Sequence, residues 1–309
     1  MALVTFPEGP RAAIIVADIM TAASVTTAAP RASTVLVRGG TFVVETWTDA
    51  APGRRLVFLH GWGQDRRAMA PLAAGFTTGA ECLLIDQPGF GAAPPPPGPP
   101  EDAWGTEDYA EALAEWLATL PPLPTVLIGH SFGCRVAIRL AALHPGLVVG
   151  LVLIAAAGLQ RRRSWPQRLR RFVLRLTMRA GGLLGPAVKA RLAERFGSAD
   201  YRRAGAMRPT LVKTVNEDLS VAARRVDVPA LLLFGAEDDQ TPPEFGERYA
   251  ALMPDARLVV LPGFDHYTVL GGGRHQVAAR LKEFLGRLGG AAQPSAVQPP
   301  ASGAGSTPT

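Results

Sequence analysis

The pentapeptide Gly129-His130-Ser131-Phe132-Gly133 constrains this chain more than any other stretch of it. It follows the apolar run Thr125-Val-Leu-Ile128 and precedes Cys134–Leu143, which reads as a helix. A strand must therefore turn sharply into a helix with a serine at the apex. Glycines flank the turn because a Cβ at either place would collide with the neighbouring strand or helix. The turn lifts the Ser131 hydroxyl clear of the sheet edge. It also aims the unpaired N–H groups at the helix N-terminus toward the same spot.

The same strand–helix rhythm runs through most of the chain. Val35-Leu-Val37 and Phe42–Thr46, separated by Arg38-Gly39-Gly40, form a predicted β-hairpin. Further apolar runs stand at Leu56–Leu59, Cys82–Ile85, Thr125–Ile128, Val149–Ile154, Ala230–Phe234 and Leu258–Leu261. Helical patterns fall between or after them, at Glu107–Leu120, Ser131–Leu143, Phe245–Leu252 and His275–Leu288. Apolar strands alternating with amphipathic helices predict an α/β fold: a mostly parallel sheet covered by helices on both faces, with the opening hairpin as an antiparallel N-terminal edge.

At 309 residues, 48 % of them hydrophobic, the chain can build one large α/β domain, expected over residues 33–288. Residues 1–32 read as a disordered extension, and 289–309, a charge-free Gly/Ala/Pro/Ser/Thr stretch, as a disordered tail. Between about residues 159 and 225 the rhythm breaks into a helical, arginine-rich stretch that reads as a cap insertion. Pro94–Pro100 reads as a stiff polyproline-II surface spacer. The two cysteines, Cys82 and Cys134, lie inside apolar patterns and are expected as buried thiols rather than a disulfide. No apolar run reaches membrane-spanning length, and Asp18 interrupts the one signal-like stretch, so a cytoplasmic protein is expected.

A nucleophilic serine needs a base, the base needs an orienting acid, and a developing oxyanion needs donors. Parallel α/β sheets bring such groups together along the carboxyl edge of the strands. After Ala230–Phe234 comes Gly235-Ala-Glu237-Asp238-Asp239-Gln-Thr-Pro242, and after Leu258–Leu261 comes Gly263-Phe-Asp-His266. His266 is the candidate base. Asp238 and Asp239 compete for the acid role; the spacing Gly-x-x-Asp-x-x-x-Pro favours Asp238, with Glu237 a distant third. The backbone N–H groups of Trp62, in His60-Gly-Trp-Gly63, and of Phe132 are the candidate oxyanion donors. The Trp62 and Phe132 side chains are then candidates to bind substrate, with core packing the plainer alternative for Trp62. His60 is expected as a structural hydrogen-bonding residue, His130 to point away from the reacting centre, His144 to close a helix, and His275 to belong to the last helix. No metal or nucleotide motif is present, so no cofactor is expected.

Taken together, His60-Gly-Trp-Gly63, Asp86-Gln-Pro-Gly-Phe-Gly91, Gly129-His-Ser-Phe-Gly133, Asp238 and His266 resemble the α/β-hydrolase superfamily over about Val35–Leu288. Within it, the first two motifs resemble the pimeloyl-carrier-protein methyl esterases and the meta-cleavage-product hydrolases. The resemblance implies Ser131 as nucleophile, His266 as base and Asp238 as its orienter. It implies a serine hydrolase, with a carboxylic ester as the main reading and a small ester or acyl compound as substrate; amide, thioester and carbon–carbon bond hydrolysis stay open, because the same apparatus serves each. A serine at the turn argues against dehalogenase or epoxide hydrolase chemistry, in which that position is a carboxylate. A non-catalytic binding protein on the same scaffold, a lyase and a cofactor-free peroxidase are the competing readings.

Charge is unevenly distributed. Residues 160–225 carry about 17 Lys/Arg against about 4 Asp/Glu, near +13, whereas the chain as a whole is +6. Arg168, Arg170, Arg171, Arg175 and Arg179 interleave with Leu169, Phe172, Val173 and Leu176, the pattern of a basic amphipathic helix. Its readings are a solvated lid face, docking to an anionic membrane surface, or docking to an acidic carrier protein. Nothing in the sequence pairs this charge with nucleic-acid recognition, so no nucleic-acid partner is expected.

Overall fold

The computed structural model describes residues 15–19, 30–49, 51–161 and 199–290. The predicted basic amphipathic helix, most of residues 1–32 and residues 291–309 lie outside them. Nine strands form one sheet in the order β1-β2-β3-β5-β4-β6-β7-β8-β9. These are β1 (Ile15–Ile19), β2 (Arg31–Val37), β3 (Gly40–Thr48), β4 (Arg54–Leu59), β5 (Ala80–Asp86), β6 (Thr125–His130), β7 (Gly150–Ile154), β8 (Ala230–Gly235) and β9 (Ala256–Leu261). β1, β2 and β3 pair antiparallel, and β3 lies antiparallel to β5. All remaining pairings are parallel. The hairpin turn is the two residues Arg38 and Gly39, both at positive φ (52° and 79°), the backbone that matches the twist of its strands. β1 was not expected from the sequence: its five residues fall within the stretch read as an extension.

The helices are α1 (Ala70–Ala73), α2 (Thr106–Leu117), α3 (Phe132–Leu143), α4 (Ala199–Arg203), α5 (Arg208–Asn216), α6 (Ser220–Ala223), α7 (Pro243–Leu252) and α8 (Arg274–Gly290). Alternation along the strands explains why the central runs are apolar throughout. Val57 and Leu59 of β4, Leu127 of β6, and Leu232 and Phe234 of β8 pack into a core with α2, α3 and α7. Their neighbours Leu56, Phe58, Val126, Ile128, Leu231 and Leu233 enter a second core on the opposite face, with α1 and α8. A strand buried on both faces has no solvent side on which to place polar residues.

Between β7 and β8, the described residues 199–225 are mainly helical and are bonded to α2 and α3. Glu217 accepts from the Thr106 backbone N–H at 3.0 Å and from its hydroxyl, so a carboxylate caps the N-terminus of α2. Arg135 of α3 donates to the Thr214 carbonyl at 2.7 Å. Pro94–Pro99 is irregular and mostly exposed, and Pro100 opens a single 3-10 turn, Pro100–Asp102. Cys82 and Cys134 are buried free thiols. Among the described residues no helix is long and apolar enough to cross a membrane.

Candidate active site

β6 ends at His130 and α3 starts at Phe132, leaving Ser131 alone in the turn with φ 49° and ψ −104°. Positive φ is costly for a residue with a Cβ, and here the surroundings enforce it. The Ser131 N–H is tied to the Ile154 carbonyl of β7 at 3.0 Å. A Cβ on Gly129 would lie 2.7 Å from the Cys134 nitrogen, and one on Gly133 would lie 2.3 Å from the Leu59 carbonyl oxygen. The flanking glycines therefore let strand, helix and neighbouring strand meet backbone to backbone, as the motif demanded.

Two loops complete a hydrogen-bonded chain at this turn. His266 Nε2 lies 3.0 Å from Ser131 Oγ, and His266 Nδ1 lies 2.8 Å from Asp238 Oδ2. A carboxylate can only accept, so Nδ1 carries the proton and the Nε2 lone pair faces the serine hydroxyl. Such an imidazole can take the hydroxyl proton and, once charged, is stabilised by the carboxylate behind it. Both His266 and Asp238 are buried. Asp238 Oδ1 accepts from the Gln240 and Thr241 N–H groups, both at 2.8 Å, and Oδ2 also accepts from the Thr241 hydroxyl at 2.8 Å. Burial pushes this carboxyl up, but the bonds from His266 and Thr241 outweigh it and hold it below the usual carboxylate range. Asp239 and Glu237 are exposed.

The Thr241 hydroxyl also lies 3.0 Å from the Ala155 carbonyl and 3.2 Å from His266 Nδ1. Sequence reading passed over this residue. Its signal was present: an aspartate receiving N–H groups two and three positions ahead makes a local Asx-type turn.

The Trp62 and Phe132 backbone N–H groups have no hydrogen-bond partner among the described residues. Phe132 is the first residue of α3, where an N–H has no helical acceptor. Around them the Trp62, Phe90 and Phe132 rings meet edge-on or tilted, with centroids 4.9 to 5.7 Å apart, and Tyr109 backs Phe132 at 5.3 Å. Met207, from the segment between β7 and β8, comes against the neighbouring loop: a Cβ on Gly89 would stand 2.3 Å from both its Sδ and its Cε. Trp62 is half-buried, so it joins the core without being sealed in it.

The loop carrying Trp62 is anchored at both ends. His60 is fully buried; its Nδ1–H donates to the Gly61 carbonyl at 2.8 Å, and its Nε2 accepts from the Gln87 N–H at 3.2 Å. Burial holds its pKa below the ordinary histidine value, so it is the neutral, structural residue expected. Buried Asp86 accepts from the Arg66 N–H at 2.7 Å, from the Arg66 guanidinium at 2.5 Å and from the Ala92 N–H at 2.9 Å. His144 ends α3, and His275 lies in α8.

His130 departs from expectation. Its ring does not point away from the centre; it lies against His266, with centroids 5.1 Å apart. The reason is strand alternation. His130 shares a sheet face with Val126 and Ile128, and the segment from Phe264 to Val269, which carries His266, packs over that face.

Fold and site together define an α/β hydrolase. The alpha/beta hydrolase family model matches residues 56–280, and the chain belongs to that family. Its relatives include the pimeloyl-[acyl-carrier protein] methyl ester esterase of Chromobacterium violaceum, 32 % identical over 235 residues that cover 69 % of this chain and 87 % of the esterase. The 2-(acetamidomethylene)succinate hydrolase of Mesorhizobium japonicum is 26 % identical over 236 residues, 70 % of this chain and 82 % of that enzyme. Among solved structures, a thermophilic esterase from Thermogutta terrifontis shares the fold with a TM-score of 0.60 at 21 % identity, covering 83 % of this chain and 98 % of its own.

Proposed function

We propose that this hydrolase cleaves a carboxylic ester through an acyl-enzyme formed on Ser131. The observation that carries the reading is the unbroken chain from Ser131 Oγ to His266 Nε2 at 3.0 Å and from His266 Nδ1 to Asp238 at 2.8 Å. Ser131 attacks the ester carbonyl while His266 Nε2 takes its proton. The Trp62 and Phe132 N–H groups receive the oxyanion of the tetrahedral intermediate. The imidazolium, held by Asp238, returns the proton to the departing alcohol. Water then attacks the acyl-enzyme with His266 again as base, freeing the acid and restoring Ser131. The aromatic wall of Trp62, Phe90 and Phe132 receives the apolar part of the substrate. The esterase names among the relatives support an ester rather than an amide.

Labelling with a fluorophosphonate and turnover of p-nitrophenyl esters of increasing chain length test the proposal. Ser131→Ala should abolish labelling and lower turnover by about 10⁶-fold in a folded protein. Retention of most of the activity would refute the mechanism.

A second reading concerns the partner. The charge of residues 160–225, near +13, fits docking of an acidic acyl-carrier protein or an anionic membrane surface. Arg168, Arg171 and Arg175 replaced together by glutamine should leave small soluble esters unaffected. Hydrolysis of a carrier-linked or vesicle-borne ester should weaken, by a factor that shrinks at high salt. Equal effects on both substrate types at low ionic strength would assign these arginines to a solvated face.

A further inference from the structure

The residue before the serine sits in a junction that the proposed reaction does not use. His130 is 1 % exposed and spans two loops that are far apart in sequence. Its Nε2 lies 2.9 Å from the His266 carbonyl oxygen, on the loop bearing the base. Its Nδ1 lies 3.1 Å from Gln64 Oε1, which also accepts from the Gly61 N–H at 2.9 Å. Gly61 is bonded directly to Trp62, the proposed oxyanion donor. The junction is tight: a Cβ on Gly61 would stand 2.8 Å from both Gln64 Oε1 and His130 Nδ1.

From this geometry we infer that His130 and Gln64 act as positioning residues, a brace that sets the distance between the oxyanion loop and the loop carrying His266. The inference rests on the proposed roles of Ser131, His266 and the Trp62 N–H. Its physical basis is that these groups approach from three separate connections: after β4, after β6 and after β9. Among the described residues His130, at the end of β6, contacts both of the others. Each ring nitrogen faces an oxygen acceptor, and a neutral imidazole has one N–H, so the ring engages one loop by its hydrogen bond and the other by close packing. The Gln64 amide orientation is fixed independently, because the Gly61 N–H requires the oxygen on that side. Misplacing reacting groups by about 1 Å costs on the order of 10²-fold in rate even when the groups themselves are intact.

The test uses the full chain with three substitutions: His130→Phe, which keeps a ring and removes both polar contacts; Gln64→Met, which keeps length and removes the acceptor; and Gly61→Ala, which drives a methyl group into the junction. Turnover of p-nitrophenyl butyrate and the rate of fluorophosphonate labelling are measured for each and for the His130→Phe/Gln64→Met pair. The brace predicts that kcat and the labelling rate each fall about 10- to 100-fold, with KM changed less than about threefold. It also predicts that the pair is no worse than His130→Phe alone, which already breaks the His130–Gln64 contact that Gln64→Met removes. Native kcat in either single variant, a loss confined to KM, or losses that multiply in the pair would overturn it. Should His130→Phe lose its cooperative thermal transition, Gln64→Met at its half-buried position and Gly61→Ala decide the matter by the same kcat criterion. A native protein that neither labels nor turns over any ester refutes the proposed reaction itself. A native protein that does both, with variants that keep its kcat, refutes the brace alone.

Discussion

Asp238→Asn gives the sharpest test of how the site holds its proton. The four donors around Asp238 leave an amide one tolerable orientation. Oδ1 faces two backbone N–H groups, which cannot turn away, so the asparagine oxygen must take that place. Its NH₂ group then replaces Oδ2, opposite the Thr241 hydroxyl and His266 Nδ1. The hydroxyl can adapt, because the Ala155 carbonyl offers it another acceptor at 3.0 Å. The imidazole can adapt only by moving its proton from Nδ1 to Nε2, and Nε2–H can no longer take the proton of Ser131. The wrong tautomer costs roughly 10⁴-fold in kcat in a well-studied triad, about 5.5 kcal/mol. A loss of that size is expected here on p-nitrophenyl butyrate, with KM little changed and a cooperative thermal transition retained. Asp239→Asn, altering an exposed side chain, should stay within about twofold of native. More than about a tenth of native kcat in Asp238→Asn, or a larger loss in Asp239→Asn, would refute the reasoning about proton placement.

Two further predictions concern stability. Gly133→Ala should destabilise the fold by about 2–3 kcal/mol in urea unfolding, because the new methyl meets the Leu59 backbone at 2.3 Å and no side chain can give way; an unchanged midpoint would show that α3 can shift off the sheet. Burial holds the His130 pKa down to about 4 from 6.5. The unfolded chain therefore takes up this proton below about pH 6.5 while the native protein does not. Stability should be intact above that pH and fall by roughly 2 kcal/mol between pH 6.5 and 5 from this residue. His60 acts in the same direction. The urea midpoint of His130→Phe should depend less steeply on pH, and equal slopes would remove His130 from the account.

The central strands were legible because burial on both faces of a parallel sheet leaves continuous apolar runs, as in Leu56–Leu59 and Ala230–Phe234. Helix bounds were read to within a few residues: α3 begins at Phe132 rather than Ser131, and α7 begins at Pro243. β1 was hidden because it is a five-residue edge strand, interrupted by Asp18, that pairs with β2 alone. Ser131, Asp238 and His266 stood out because each follows a recognisable strand at a turn. Gln64 and His130 did not, since their contacts bridge 66 and 136 positions of sequence, and no local pattern encodes a meeting of that kind. The bias of His130 toward His266 follows from sheet-face alternation, but only once the register of β6 and the path after β9 are known.

The backbone at Ser131 has a consequence for how this sequence can change. Its φ of 49° suits a residue without a Cβ, so the position would be more comfortable as glycine. Relief of such strain is worth on the order of 1 kcal/mol. A variant silenced in this way would fold at least as well as its parent and would escape any surveillance that recognises misfolding. Selection on foldedness alone therefore pulls against the serine, and a screen for thermal tolerance without a turnover assay would drift toward inert molecules. On the proposed mechanism, reactivity at this turn has to be selected for directly, against a gentle thermodynamic slope.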